Sequence, residues 1–268
     1  MINAMSEVYD HYYEALNYFP SERIIVCALH GSQNYNLATE KSDVDTKVLV
    51  TPSFEEIALN NQPWSHTHIR PNNEHIDFKD IRLYIGTFYK QNLNFLEILF
   101  TDYIIINSLY EDIWVQLIEK REEIARLDPY RGLQSLQGIA NNKCRLITTD
   151  NPSTHDNIIK YGYDPKNLYQ LIRIETFIKK FINDIPYAEC LDASAQRDYL
   201  LKVKNGFYSI NEAVKLRQET IDNINEMCEN FKTDFIKRNN QTTIEFLQNI
   251  QKEFIYRGLQ LDDIYHRR

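Results

Sequence analysis

Gly31-Ser32 is followed, after ten residues, by Asp43-Val44-Asp45. A tight turn able to receive a phosphate thus stands just upstream of two carboxylates. Gly31 frees the backbone for the turn, and Ser32 brings a hydroxyl and a backbone N–H that a phosphate oxygen accepts from. Ser42 leads into the acidic element. Alternation along a strand over 44–50 puts Asp43, Asp45, Lys47 and Leu49 on one face and Val44, Thr46, Val48 and Val50 on the other. Two carboxylates about 7 Å apart on one strand face repel unless a cation lies between them. Hard oxygen ligands favour Mg²⁺ or Mn²⁺, so the chemistry implied is a divalent ion holding a nucleoside triphosphate.

A two-metal site needs a third acid, and Asp77, flanked by Ile76 and Phe78, has the setting of a strand with one buried and one functional face. Glu74 and Asp80 compete for that role. Asp80 has a plainer use as the N-cap of a helix starting at Ile81, and Glu74 follows the loop-like Pro71-Asn72-Asn73.

These residues need elements to hold them. The apolar, β-branched run 24–29, ending at His30-Gly31, reads as a buried strand. A short helix is expected near 33–38, its N-terminus adding favourable dipole charge at the turn. Helical spacing follows over 81–89, a short helix over 94–100 and a strand over 103–106. From Ile113 onward the signals are helical, over 133–147 and 165–182 among others. Asp164-Pro165 supplies an N-cap and an N1 proline for the latter, Ser209/Glu212 and Thr242/Glu245 have capping-box spacing, and Gly258 reads as a helix stop. On the 165–182 helix, Lys166, Gln170 and Arg173 share one stripe bordered by Tyr169, while Leu168, Leu171, Ile174, Ile178 and Phe181 form an apolar one. Spacing alone makes the polar stripe an ordinary solvated face.

Gly31-Ser32, Ser42-Asp43-Val44-Asp45 and a later strand aspartate resemble the polymerase β-like nucleotidyltransferase superfamily. Tyr35, Leu37-Ala38, the run 94–99, the run 166–173 and the run 205–213 are similar to its family called RNA repair pathway DNA polymerase beta, over roughly residues 22 to 217. The resemblance implies an α+β fold: an N-terminal nucleotidyltransferase α/β domain with a mixed sheet over 1–108, then a C-terminal helical substrate-binding domain over 109–268. It implies metal-dependent transfer of a nucleoside monophosphate from an NTP, with ATP the expected donor, to an acceptor hydroxyl. Asp43, Asp45 and Asp77 would be the catalytic and metal-binding acids. Gly31, Ser32, Ser42, Lys166, Tyr169 and Arg173 would bind the nucleotide. The acceptor it suggests is an RNA or tRNA 3′ end; a protein or small-molecule hydroxyl, or a silent nucleotide- or RNA-binding module, stays open. The chain departs from the family pattern at Asn36, where glycine is common, and at Asn167 and Gln170, where histidine is common.

The net charge of −8 argues against a broad grip on duplex nucleic acid. Between residues 141 and 180, however, seven basic residues stand against four acidic ones, the segment best suited to a polyanion. Four cysteines are scattered singly and read as reduced thiols rather than zinc ligands. His66, His68 and His75 read as a surface loop before a metal site. No apolar stretch nears the ~20 residues needed to span a bilayer, and Met1 to Glu7 lacks a signal-peptide layout, so a cytoplasmic enzyme is expected, with no membrane partner.

Overall fold

The computed structural model describes residues 4–40, 42–234 and 240–266, so Met1, Ile2 and Asn3 of the N-terminal stretch lie outside it. The chain divides into two compact units, one of Met1–Asn34, Ala38–Leu127 and Asn239–Arg268, the other of Tyr35–Leu37 and Asp128–Arg238. The boundary expected at 108/109 therefore falls inside the first unit.

The first unit is mixed α+β. It comprises α1 (Ala4–Ala15), β1 (Ile24–His30), β2 (Asp45–Val50), α2 (Phe54–Ala58), β3 (Ser65–Ile69), β4 (His75–Asp80), α3 (Ile81–Tyr89), α4 (Leu93–Leu96), β5 (Ile104–Ile106), α5 (Glu111–Glu119) and α6 (Arg121–Ala125). One five-stranded mixed sheet has the order β3-β4-β2-β1-β5. β2 and β4 are parallel; the other neighbours are antiparallel. The two-residue period sorts the side chains. Val48, Val50, Ile76, Phe78, Cys27 and Leu29 join Val8, Ala15 and Phe19 in a core beneath α1. Asp45, Lys47 and Asp77 are left on the opposite face.

Asp80 caps α3 as expected, accepting from the Arg82 N–H at 2.8 Å. It also clasps the Arg82 guanidinium, at 3.0 Å from Nε and 2.6 Å from Nη2, with its own side chain 1% exposed. Asp80→Asn keeps the cap but loses that buried charge. Urea titration should show a loss of about 1–3 kcal/mol.

The second unit is helical: α7 (Pro129–Leu146), α8 (His155–Tyr161), α9 (Pro165–Ile182), α10 (Tyr187–Leu191), α11 (Arg197–Lys204) and α12 (Ile210–Asp234). α9 is its centre, packed by α7, α10, α11 and α12. Asp164 accepts from the Asn167 N–H at 3.0 Å, with Pro165 in the first turn. Leu168, Leu171, Ile174, Ile178 and Phe181 are all buried. Ser209 and Glu212 form the expected reciprocal cap.

The chain then returns to the first unit as α13 (Gln241–His266). Two terminal signals are overturned there: Thr242 lies in its first turn and Gly258 deep in its interior. Gly258 is a close-approach residue. A Cβ there would stand 2.6 Å from the Thr51 Cβ and 2.7 Å from its Oγ1. Thr51 has nowhere to go, being fully buried. Gly258→Ala gains about 1 kcal/mol of helix propensity but overpacks this contact, and thermal unfolding should show a net loss of about 1–2 kcal/mol. Among the described residues, no helix is long and apolar enough to cross a membrane.

Candidate functional site

The expected helix at 33–38 does not form. Residues 31–36 are bends and turns, so the phosphate-sized turn has no helix dipole behind it. Gly31 sits at φ +104, with no protein atom within 4 Å of where a Cβ would be. Asn36, standing where glycine is common, takes φ +58, the left-handed angle that asparagine tolerates.

Glu97 secures this turn from below. It is 1% exposed, and its Oε2 accepts the Gly31 N–H at 3.1 Å. The Gly31 amide is thus already spent on protein. Ser32 follows it, its hydroxyl donating to Gln33 Oε1 at 3.3 Å. Gln33 Nε2 in turn donates to the Asp43 carbonyl at 3.1 Å, joining the two halves of the motif. Ser42 is buried, and its hydroxyl accepts from the Thr39 N–H at 2.9 Å. Its side chain closes the turn from Thr39 to Ser42, just before Asp43. Spacing had singled out neither Glu97 nor Gln33 as a site residue, because their partners are backbone groups distant in sequence or hidden in a turn.

Asp43 is exposed just before β2, and Asp45 opens the strand. Asp45 Oδ1 accepts the His75 N–H at 2.8 Å. Register puts His30 opposite Asp45 on β1 and Asp77 beside Lys47 on β4, so His30, Asp45, Lys47 and Asp77 share one sheet face. Asp77 is firmly engaged there. Lys47 Nζ lies 3.0 Å from its Oδ2, Lys79 Nζ 3.3 Å from its Oδ1, and the Thr67 hydroxyl donates to it at 3.0 Å. Burial works against its charge, but Lys47, then Lys79 and Thr67, outweigh burial and hold the carboxyl below the usual aspartate range. His30 is neutral: burial first, then the Lys47 charge, pull its pKa down to about 3.

Behind the acidic strand, on the α1 side, lies a buried polar network. His11 Nδ1 meets the Thr46 hydroxyl at 2.9 Å and Nε2 meets Glu74 Oε2 at 3.1 Å. The other Glu74 oxygen accepts the Val44 N–H at 3.3 Å, and Arg70 braces Glu74 at 2.8 Å and Glu14 at 2.8 Å. Glu74 therefore supports Asp43-Val44-Asp45 from the far side of the sheet and does not share their face. The histidines expected in a surface loop stand on strands instead, His66 and His68 on β3 and His75 at the start of β4; His68 meets Glu14 and Tyr18, and His75 meets Asp45.

In the second unit, α9 presents Lys166 exposed but Tyr169 and Arg173 buried. A solvated stripe is thereby overturned for Arg173. Its guanidinium lies 3.8 Å from the centroid of the Tyr35 ring, a cation–π stack. Burial first, then the charges of Lys166 and Arg173, pull the Lys143 ammonium below the usual lysine range. Lys204 stands 5.6 Å from the Tyr169 ring centroid. Of the seven basic residues between 141 and 180, Lys166 and Arg173 are thus close enough to act on the charge of Lys143, while Lys179 and Lys180 are engaged elsewhere, with Glu175 and with the Glu189 and Asp192 carbonyls.

Among the described residues, no group of three or more His, Cys, Asp or Glu side chains is arranged to hold a metal ion. Asp43 and Asp45 still suit one Mg²⁺ or Mn²⁺, since such ions are commonly held by one or two carboxylates with substrate phosphates completing the shell. The four cysteines are free, and Cys27, fully buried, has its thiol pushed up to about 12 by burial. No protein-family model matches the chain, and no curated protein matches it.

Proposed function

We propose that the chain is a metal-dependent nucleotidyltransferase, moving a nucleoside monophosphate from an NTP, ATP foremost, to an acceptor hydroxyl, with an RNA 3′ end as the acceptor. The observation that carries this reading is the pairing of a glycine-serine turn with a carboxylate-bearing sheet face, the two tied together by Gln33. In this proposal the first unit is the catalytic domain and the helices of the second serve substrate binding.

Asp43 and Asp45 would hold the divalent ion, which when bound supplies positive charge against the triphosphate oxygens. The Ser32 hydroxyl, turned from Gln33 Oε1, and the Gln33 N–H would donate to the leaving phosphates, while Gly31 shapes the turn and Ser42 braces the segment before Asp43. Asp77, ionised at neutral pH by its lysine partners, is the acid on the acceptor side; a direct metal contact would draw it from Lys47. The acceptor oxygen bonds to the α-phosphorus as its proton passes to the Asp77 carboxylate and the bond to pyrophosphate breaks. Donors pre-aimed at the charge developing on the leaving group favour that step. Lys166, Tyr169 and Arg173 serve substrate from the second unit.

The test is incubation with α-labelled nucleotides, Mg²⁺ or Mn²⁺, and total RNA or lysate protein in separate arms. Label on a nuclease-sensitive product supports the proposal. Label on a protease-sensitive product moves the acceptor to protein. No label in any arm, with all four nucleotides and both metals, removes the transferase reading.

A further inference from the structure

Arg173 is 8% exposed, yet its Nε and Nη1 are both buried without a hydrogen-bond partner. One turn earlier on α9, Gln170 Oε1 is buried and unpartnered too. Idle buried donors and acceptors are rare in native proteins, and each calls for an explanation. The charge around them is mainly positive. The Lys143 ammonium feels the charges of both Lys166 and Arg173. The nearby carboxylate, Asp164, is spent on the Asn167 N–H and Nδ2. Glu175, also on α9, is taken by Lys179 and Asn223.

A guanidinium has donors only, so its idle nitrogens require an acceptor, and the surrounding ammonium groups require that acceptor to be an anion. A phosphate meets both needs. The Gln170 amide already bonds the Tyr169 hydroxyl, but its Oε1 cannot be met by phosphate oxygens and takes an O–H or N–H, which a hydroxyl on the same ligand supplies. We propose that the second unit contains a phosphosugar site, in which Arg173, stacked on Tyr35, and Lys143 take a phosphate ester while Gln170 accepts from a hydroxyl of the attached sugar. The ligand is a ribose phosphate, from a free ribonucleotide or from an RNA end. The site is built from one unit and does not rest on nucleotidyl transfer.

Calorimetric titration of the full chain in EDTA tests it, because chelation silences any metal-dependent binding at Asp43 and Asp45. Ribose 5-phosphate should bind about ten-fold more tightly than methyl phosphate, which lacks the hydroxyl. Gln170→Leu should erase that preference and leave methyl phosphate unchanged. Arg173→Gln should weaken ribose 5-phosphate about ten-fold or more with little change in the ligand-free melting temperature, since the stack lost on Tyr35 is offset by removing a buried charge that no carboxylate pairs. Should that variant fail to fold, Lys143→Met carries the test, with weaker binding and a shallower salt dependence. Tighter binding of a single-stranded oligoribonucleotide than of AMP assigns the source to RNA; the reverse assigns it to the free nucleotide. Absence of ribose 5-phosphate binding, or unchanged affinity in the Arg173 variant or in its Lys143 substitute, overturns the site, and equal binding of both phosphates overturns the hydroxyl contact.

Discussion

Asparagine in place of Asp43 or Asp45 is expected to lower nucleotidyl transfer by a factor on the order of 10² to 10³ or more, with the melting temperature held or slightly raised. The Asp45 side chain has a structural duty, accepting the His75 N–H, and an asparagine carbonyl can continue it. Asp43 is exposed, so its substitution disturbs no packing. What each variant loses is one negative charge from an acidic strand edge, which relieves repulsion in the metal-free protein and weakens the hold on a divalent ion. The checks are transfer rate against Mg²⁺ concentration and thermal unfolding, on both variants. Near-normal transfer would remove the site from the acidic strand, and a large loss of stability would make these carboxylates structural.

The strands that carry the acids were legible because their pattern is local. Ile24 to Leu29 is one apolar run, and alternation from Asp45 needs no partner to sort its faces. α9 was legible for the same reason, with an aspartate cap and a proline at its start and an unbroken apolar stripe. What escaped was set by contacts distant in sequence. Gly258 after Arg257 has the look of a helix end, yet it admits the Thr51 side chain and the helix runs on. The first unit reclaims the C-terminal helix, which no linker composition announced. Residues 33–38 had the polarity of a first helical turn, but the left-handed angle at Asn36 breaks it. Arg173 had the spacing of a surface stripe, and only Tyr35 stacked on it reveals a buried charge. Glu74 was set aside for its loop-like neighbours, although its partners come from α1 and the entrance to β2.

Removal of Glu74 is therefore expected to have the largest effect on stability. Glu74→Ala leaves the His11 Nε2, the Val44 N–H and one face of Arg70 without their partner, in a region where His11 is fully buried. Breaking a buried ion pair by deleting one member costs about 3–5 kcal/mol, and equilibrium urea unfolding should register a loss of that size. Glu74→Gln, which keeps an acceptor for Val44, should lose less. The network also has a definite pH sign. Burial pushes the Glu74 carboxyl up, but hydrogen bonds from Asn72, His11, Arg70 and the Val44 N–H outweigh it and leave the pKa below the usual range. Its contribution is thus present above the unfolded carboxylate value of about 4.3 and is lost as pH falls through the lower folded value. His11 is pulled down as well, by burial first and by Arg70, against the opposing pull of Glu74 and Glu14. The unfolded chain then binds its proton more readily, so stability declines as pH drops below about 6.5. Both groups act in the same direction, and wild-type protein should lose urea resistance below about pH 6.5 through His11 and further below about pH 4.3 through Glu74. His11→Gln should flatten the upper part of that decline and leave the lower part, which belongs to Glu74. A loss under about 1 kcal/mol in Glu74→Ala would rank these contacts with ordinary exposed ion pairs and remove the buried support assigned to Asp43 and Asp45.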